Sequence, residues 1–309
     1  GPVVLSLLSS ILLCIFTLWL LLGALQGASY RLLQPTLKAI DPAQASTLIL
    51  AWQALPPVAA LAASYVLYSP DLAQWFVAGH CHTSRCSMHG PQSSLAILPV
   101  AAVATWTLYR LAKCLLRQWL PARRLRGYLM QIGESTGDFV SLASSQPIAF
   151  TVGWLKPQIF ISQGMQEACS PREIECIVYH EAAHRQRRDN LRLLTSRLLT
   201  APLPNRWTQD ALDDLQLCCE QACDISAASM LSRESVAAAL IKVTRLQQPW
   251  PPVGSLAFAG NQTQQRILAL LDEPQGRLKN QVVFAITSVV VLIILAMINP
   301  LHRAIELIP

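Results

Sequence analysis

The sequence predicts an α-helical membrane protein with four transmembrane helices and an inserted α+β domain. Three observations carry that prediction. Charged residues make up only 14% of the 309 residues and mean hydropathy is +0.37, whereas soluble domains average about 25% charged residues. Only seven of the 24 Lys and Arg and 18 Asp and Glu lie outside positions 110–280, so the charge is concentrated in one block. Four apolar stretches flank that block, three before and one after, each near the roughly 20 helical residues that cross a bilayer core. This pattern excludes a uniformly soluble globule, a disordered chain and a small disulfide scaffold.

The first span, placed at 1–28, is apolar over residues 3–25 and meets no charge before Arg31. A signal peptide is the other reading of this stretch, but the apolar run exceeds the about 7–15 residues of a signal-peptide core, so a true span is expected. The second, at 47–68, carries Pro56-Pro57 at its centre, which predicts a kink or a broken helix. The third, at 94–112, contains Pro99, and the fourth, at 281–299, ends at Asn299-Pro300. A buried core helix is the alternative for each.

Orientation follows from the basic residues at the span ends. Arg31 and Lys38 follow span one, and Arg277 and Lys279 precede span four. Span three is followed by Lys113, Arg117, Arg123, Arg124 and Arg126. With Arg110, this run holds no acidic residue and matches the whole net charge of +6. Its position beside an apolar run favours a membrane explanation over nucleic-acid binding, and no direct nucleic-acid partner is expected. The N-terminus is therefore placed outside, 29–46 in a cytoplasmic loop, 69–93 in a periplasmic loop, 113–280 in a cytoplasmic domain, and 300–309 in a short external tail. The bacterial inner membrane is the expected bilayer.

The cytoplasmic block contains Ser170-Pro-Arg-Glu followed by an apolar-periodic run ending in His180-Glu181-Ala-Ala-His184. Ser170 and Pro171 are a natural N-cap and first helical residue. His180 and His184 then stand at i and i+4 on one helical face, where two imidazoles can grip one zinc ion. Glu181 can reach a zinc-bound water and take its proton. An exposed helix turn with two ordinary histidines is the alternative. A second helix carries Glu220 and Asp224, again at i and i+4. Glu220 can bind the metal while Asp224 accepts a hydrogen bond from a ligand imidazole; alone, the pair also reads as a solvated face.

These residues resemble the gluzincin metallopeptidases. The wider pattern is closer to the BlaR/MecR family of integral-membrane zinc peptidases. The match runs through residues 147–162, Ser170-Pro-Arg-Glu, His180 to Asp189, Glu220 to Asp224, and Arg266-Ile-Leu-Ala-Leu-Leu-Asp272. The resemblance implies a zincin-like metalloprotease domain with one catalytic zinc. It makes His180, His184 and Glu220 the ligands, Glu181 the base, and Asp224 and Asp189 supports behind the ligands. It also implies a signal-transducing receptor that cleaves itself or a transcriptional repressor of the BlaI/MecI kind by analogy, and it leaves a homodimer open. Eleven residues follow Ile298, so the penicillin-binding sensor domain of the best-known members is not expected.

Residues 148–152 alternate apolar and smaller side chains, and 159–161 form a second apolar run, with Gly153 and Pro157 in the turn. This predicts a hairpin beside the metal helix, on whose edge an extended peptide could add as a strand. Arg185, Arg187, Arg188 and Arg192 read as a solvated or headgroup-facing surface. Cys219 and Cys223 flank Glu220 and offer a rival zinc site, although helix packing is the better reading. In the outer loop, His80, Cys81, His82, Cys86, Met88 and His89 fall within ten residues. That density suits a zinc, copper or redox sensor, or else a Cys81–Cys86 disulfide. The overall expectation is a membrane-embedded zinc endopeptidase with a protein or peptide substrate. A catalytically silent zinc-containing receptor or scaffold and a metal-handling membrane protein are the alternatives.

Overall fold

The computed structural model describes residues 2–69, 97–247, 257–272 and 276. The fourth expected span, the external tail and the outer-loop residues His80, Cys81, His82, Cys86, Met88 and His89 lie outside the described residues.

Helices α1 (Pro2–Lys38) and α2 (Pro42–Tyr68) form an antiparallel hairpin. Among the described residues, these two are long and apolar enough to cross a membrane. Leu21, Leu25, Val58 and Leu61 point outward, as they would toward lipid. The loop expected over 29–46 is helical instead. Helix α1 runs on to Lys38, and α2 starts at Pro42 behind Asp41, whose side chain accepts from the Gln44 N–H at 3.1 Å. Packing explains the difference, because Tyr30, Leu37 and Ile40 are buried against Ala211 and Leu215. Arg31 thus marks water contact, and the helix ends only at Lys38. Nor does Pro56-Pro57 break α2. Pro56 lacks the N–H that would satisfy the Trp52 carbonyl, and the Gln26 side-chain amide donates to that carbonyl instead.

The third expected span falls largely in α3 (Ile97–Ile132), which continues straight through the boundary placed at 112/113. A four-stranded sheet follows: β1 (Glu134–Ser135), β2 (Val140–Leu142), β3 (Ala149–Val152) and β4 (Gln158–Ser162), in the order β1-β2-β4-β3. Strands β3 and β4 are the expected hairpin, paired antiparallel from Ala149↔Ile161 to Val152↔Gln158. Gly153, at φ 120°, supplies a turn conformation that side-chain-bearing residues rarely adopt. Alternation along the strands divides the sheet's two faces. Val140, Leu142 and Phe160 pack on Leu129 of α3. Ile159 and Ile161 pack on Met165 of α4 (Gln163–Ala168) and Ile177 of α5 (Pro171–Arg187). The remaining helices are α6 (Asp189–Thr200), α7 (Asn205–Met230), α8 (Arg233–Gln247) and α9 (Ala257–Leu271). Core residues of α5, α7, α8 and α9 close the domain around Cys176, Ala227, Val236 and Leu270.

The turn from β4 into α4 depends on close backbone approach. A Cβ on Gly164 would lie 2.1 Å from the Ser145 carbonyl oxygen. Gly164→Ala should therefore destabilise the protein by about 1–3 kcal/mol. Gly127→Ala, in a helical site with nothing within 4 Å of the added carbon, should be neutral or stabilising by up to about 1 kcal/mol. Thermal unfolding of both variants in detergent checks the pair.

Candidate metal centre

Helix α5 is started by a reciprocal cap. The Ser170 Oγ accepts from the Glu173 N–H at 3.3 Å, and the Glu173 carboxylate accepts from the Ser170 N–H at 2.7 Å. The helix buries Cys176 and Ile177 and turns His180, Glu181 and His184 into a cleft of about 400 Å³. It ends at Arg188, a non-glycine residue in the left-handed region (φ 54°), a conformation costing about 1–2 kcal/mol. That abrupt corner makes Asp189 the first residue of α6 and brings it back beneath His184.

Helix α7 crosses α5 and supplies the opposing wall. Asp224 Oδ1 lies 2.9 Å from His180 Nδ1, and Asp189 Oδ2 lies 2.9 Å from His184 Nδ1. With Nδ1–H donating to a carboxylate, each ring presents the lone pair of Nε2 forward. The two Nε2 atoms are 3.1 Å apart. Glu220 faces both, with Oε2 at 3.5 Å from His180 Nε2 and Oε1 at 3.6 Å from His184 Nε2. A tetrahedral ion with ligands at about 2.0–2.1 Å separates donor atoms by about 3.3–3.4 Å. The observed spacings bracket that value, and facing lone pairs at such range require a cation or a proton between them. His180, His184 and Glu220 therefore fit a metal ion such as zinc.

Protons compete for the same lone pairs. Burial opposes charging His180, but the hydrogen bonds to Asp224 and Glu220 prevail and push its pKa up to about 9. Burial likewise opposes charging His184, and Asp189, Cys223 and Glu220 raise it well above the usual imidazole value. Burial works against ionised Glu220, but the two histidines and Arg266 hold it well below the ordinary carboxylate range.

The sequence-predicted residues His180, Glu181, His184, Asp189, Glu220 and Asp224 thus converge on one cleft. Cys223 comes close as well, its Sγ 3.3 Å from both His184 Nδ1 and Asp189 Oδ2. Burial pushes that thiol up to about 11, and it donates to Asp189 Oδ2. Cys219 is also buried, and desolvation raises its pKa further. Arg187 and Arg192 are not the solvated surface expected of them. Arg187 pairs with Asp189 at 3.2 Å and donates to Ser46 Oγ at 3.0 Å, while Arg192 donates to Thr47 Oγ1 at 3.2 Å. These contacts tie the metal site to α2.

Three residues at the site were not read from sequence. Arg266 of α9 forms two 2.7 Å bonds to the Asp224 carboxylate and reaches Glu220 Oε2 at 3.0 Å. The Thr151 hydroxyl donates to Glu181 Oε2 at 2.7 Å. The Asn190 side-chain amide donates to the Thr151 carbonyl at 2.8 Å. Thr151 and Arg266 lie in the resembling stretches 147–162 and 266–272, but nothing in those stretches marked either as a site residue.

Residues 131–249 match the model of Peptidase family M48, and this match makes the protein a zinc metalloprotease. The matched stretch includes all the converging residues except Arg266. No curated protein and no solved structure gives a significant match.

Metal binding should be coupled to proton release. Both imidazoles hold protons more tightly than an ordinary histidine, so zinc must displace a proton from between them, and its affinity should rise with pH toward the His180 pKa of about 9. Calorimetry of zinc binding in buffers of different ionisation enthalpy measures the count. A pH-independent affinity without proton release would contradict this electrostatic account.

Proposed function

We propose that the protein is a membrane-embedded zinc endopeptidase that cuts a protein chain on the cytoplasmic side of a bacterial inner membrane. One observation carries the reading. Two imidazoles, each gripped from behind by a carboxylate, turn their Nε2 atoms toward Glu220, and Glu181 stands beside them in the same cleft. His180, His184 and Glu220 would hold one zinc ion, which when bound polarises the scissile carbonyl and acidifies a water.

Glu181 acts as general base. The Thr151 hydroxyl engages Oε2, which orients the carboxylate and leaves the other oxygen to take the proton of the attacking water. The same carboxyl then delivers that proton to the nitrogen of the departing amine. Asp224 and Asp189 hold the imidazoles in the tautomer the metal needs, and Arg266 keeps Asp224 and Glu220 ionised and in place. The substrate seats by adding a strand to β3, which is the sheet edge. Ile148 pairs with Ser162 through its backbone, so the peptide groups of Ala149 and Thr151, alternating with it, turn outward toward the cleft. Asn190 takes the Thr151 carbonyl and anchors this edge against α6.

Four spans with the N-terminus outside remain our reading of the topology. It is supported by α1 and α2 and by the basic residues that follow the first and third spans. The sequence pattern resembles that of BlaR/MecR-type peptidases. On that analogy the protein is a receptor whose protease acts on itself or on a transcriptional repressor. The outer-loop His80, Cys81, His82, Cys86, Met88 and His89 offer ligands suited to a metal or redox signal.

Glu181→Gln should retain zinc but lower peptide cleavage by about 10²–10⁴-fold. Metal content and fragment patterns of both proteins, co-expressed with the cytoplasmic proteome, check this. A shared fragment pattern would favour a catalytically silent receptor that keeps its metal for structure.

A further inference from the structure

We propose that the α6–α7 corner and the facing turn of α3 form a collar that binds anionic lipid headgroups and fixes the height of the catalytic cleft over the membrane. The inference rests on the membrane reading above, and its test separates the two.

The corner is irregular backbone lodged between two expected spans. Ala201, Pro202 and Leu203 are buried there, and α1 is hollowed at two successive turns, one facing Leu203 and the next facing the first turn of α7. A Cβ on Gly23 would come within 2.7 Å of the Leu203 side chain, and one on Gly27 within 2.8 Å of the Trp207 carbonyl oxygen. Irregular backbone at this depth must have its carbonyls satisfied by the protein, and side chains of the spans do so. Trp19 Nε1 donates to the Leu199 carbonyl and Trp106 Nε1 to that of Pro202, each at 3.2 Å. Arg110 donates to the Ala201 carbonyl at 2.7 Å and the Leu203 carbonyl at 3.1 Å. Trp19 lies six residues inside the end of the apolar run at Leu25, about 9 Å along the helix. Trp106 lies one turn before the first charge of α3. Two separate helices therefore place the corner at the cytoplasmic edge of the bilayer.

The side chains on its outer surface match that level. Arg110 sits 5.3 Å from the Trp106 ring, Lys113 sits 5.2 Å from the Tyr109 ring, and Arg206 sits 5.5 Å from the Trp207 ring. These are all the cation–aromatic pairs among the described residues. Trp106 and Tyr109 are about half exposed, and Arg206 is exposed. Amphipathic rings at headgroup depth, with cations between them, suit a surface of anionic lipid phosphates. Helix α6 links this collar to the metal site. It is 12 residues long, about 18 Å, with Asp189 at one end and the corner at the other. A collar held at the headgroups therefore fixes the position of the cleft through α6.

The test reconstitutes the full chain in vesicles of phosphatidylcholine alone or mixed with phosphatidylglycerol. Thermal unfolding and the phosphatidylglycerol retained after detergent extraction are then measured. The wild type should gain stability from the anionic lipid and retain it. Lys113→Gln combined with Arg206→Gln should lose both effects while unfolding normally in phosphatidylcholine. A wild type indifferent to phosphatidylglycerol, or a double variant with the full response, would overturn the collar. Release of the protein from vesicles by alkaline carbonate would instead overturn the membrane reading.

Discussion

The two carboxylate–imidazole bonds behind His180 and His184 are the constraint on which the rest of the structure depends. Without Asp224 and Asp189 the rings could rotate or switch tautomer, and a buried pair of histidines would have no reason to face each other at contact distance. Each bond demands a particular piece of architecture. Asp189 reaches His184 only because α5 ends in a left-handed residue and α6 begins at once. Asp224 reaches His180 only because α7 crosses α5 one turn past Glu220. Burying such carboxylates costs several kcal/mol each unless cations compensate. Arg266 on Asp224 and Arg187 on Asp189 provide that compensation.

Those arginines also connect the site to the apolar helical hairpin. Arg187 and Arg192 reach Ser46 and Thr47 at the start of α2. Arg266 belongs to α9, just beyond which Gly276 accepts from the Asp41 N–H at the α1–α2 elbow at 3.1 Å. The metal ligands are thus braced from two directions by the same end of the helical hairpin. A protease whose ligand supports are bonded to its apolar helical hairpin has a physical route by which that hairpin can bias the site. In that view the active centre and the hairpin form one mechanical unit.

How much of this was legible in the sequence depends on the range of the interactions. The α5 cap, the i,i+4 histidines, the Glu220–Asp224 turn and the β3–β4 hairpin are local patterns, and they could be read directly from spacing. Arg266, Thr151 and Asn190 act through contacts between elements distant in the chain, so spacing carries no sign of them. The residues over 29–46 misled for a different reason. Their basic side chains report contact with water, whereas the helix continues because Tyr30, Leu37 and Ile40 find an apolar partner in α7. Strand β1 is two polar residues, and β2 spans only Val140 to Leu142, too short for its alternation to announce a strand. The β3–β4 hairpin gives them a sheet to join.

The central claim is that two nitrogens and one carboxylate, with no sulfur, hold the metal. X-ray absorption at the zinc edge of the purified protein tests this most directly. The account predicts one zinc per chain with nitrogen and oxygen neighbours at about 2.0–2.2 Å and no sulfur shell. A sulfur shell at about 2.3 Å would contradict it, because Cys219 or Cys223 would then be a ligand and His184 would have to leave Asp189.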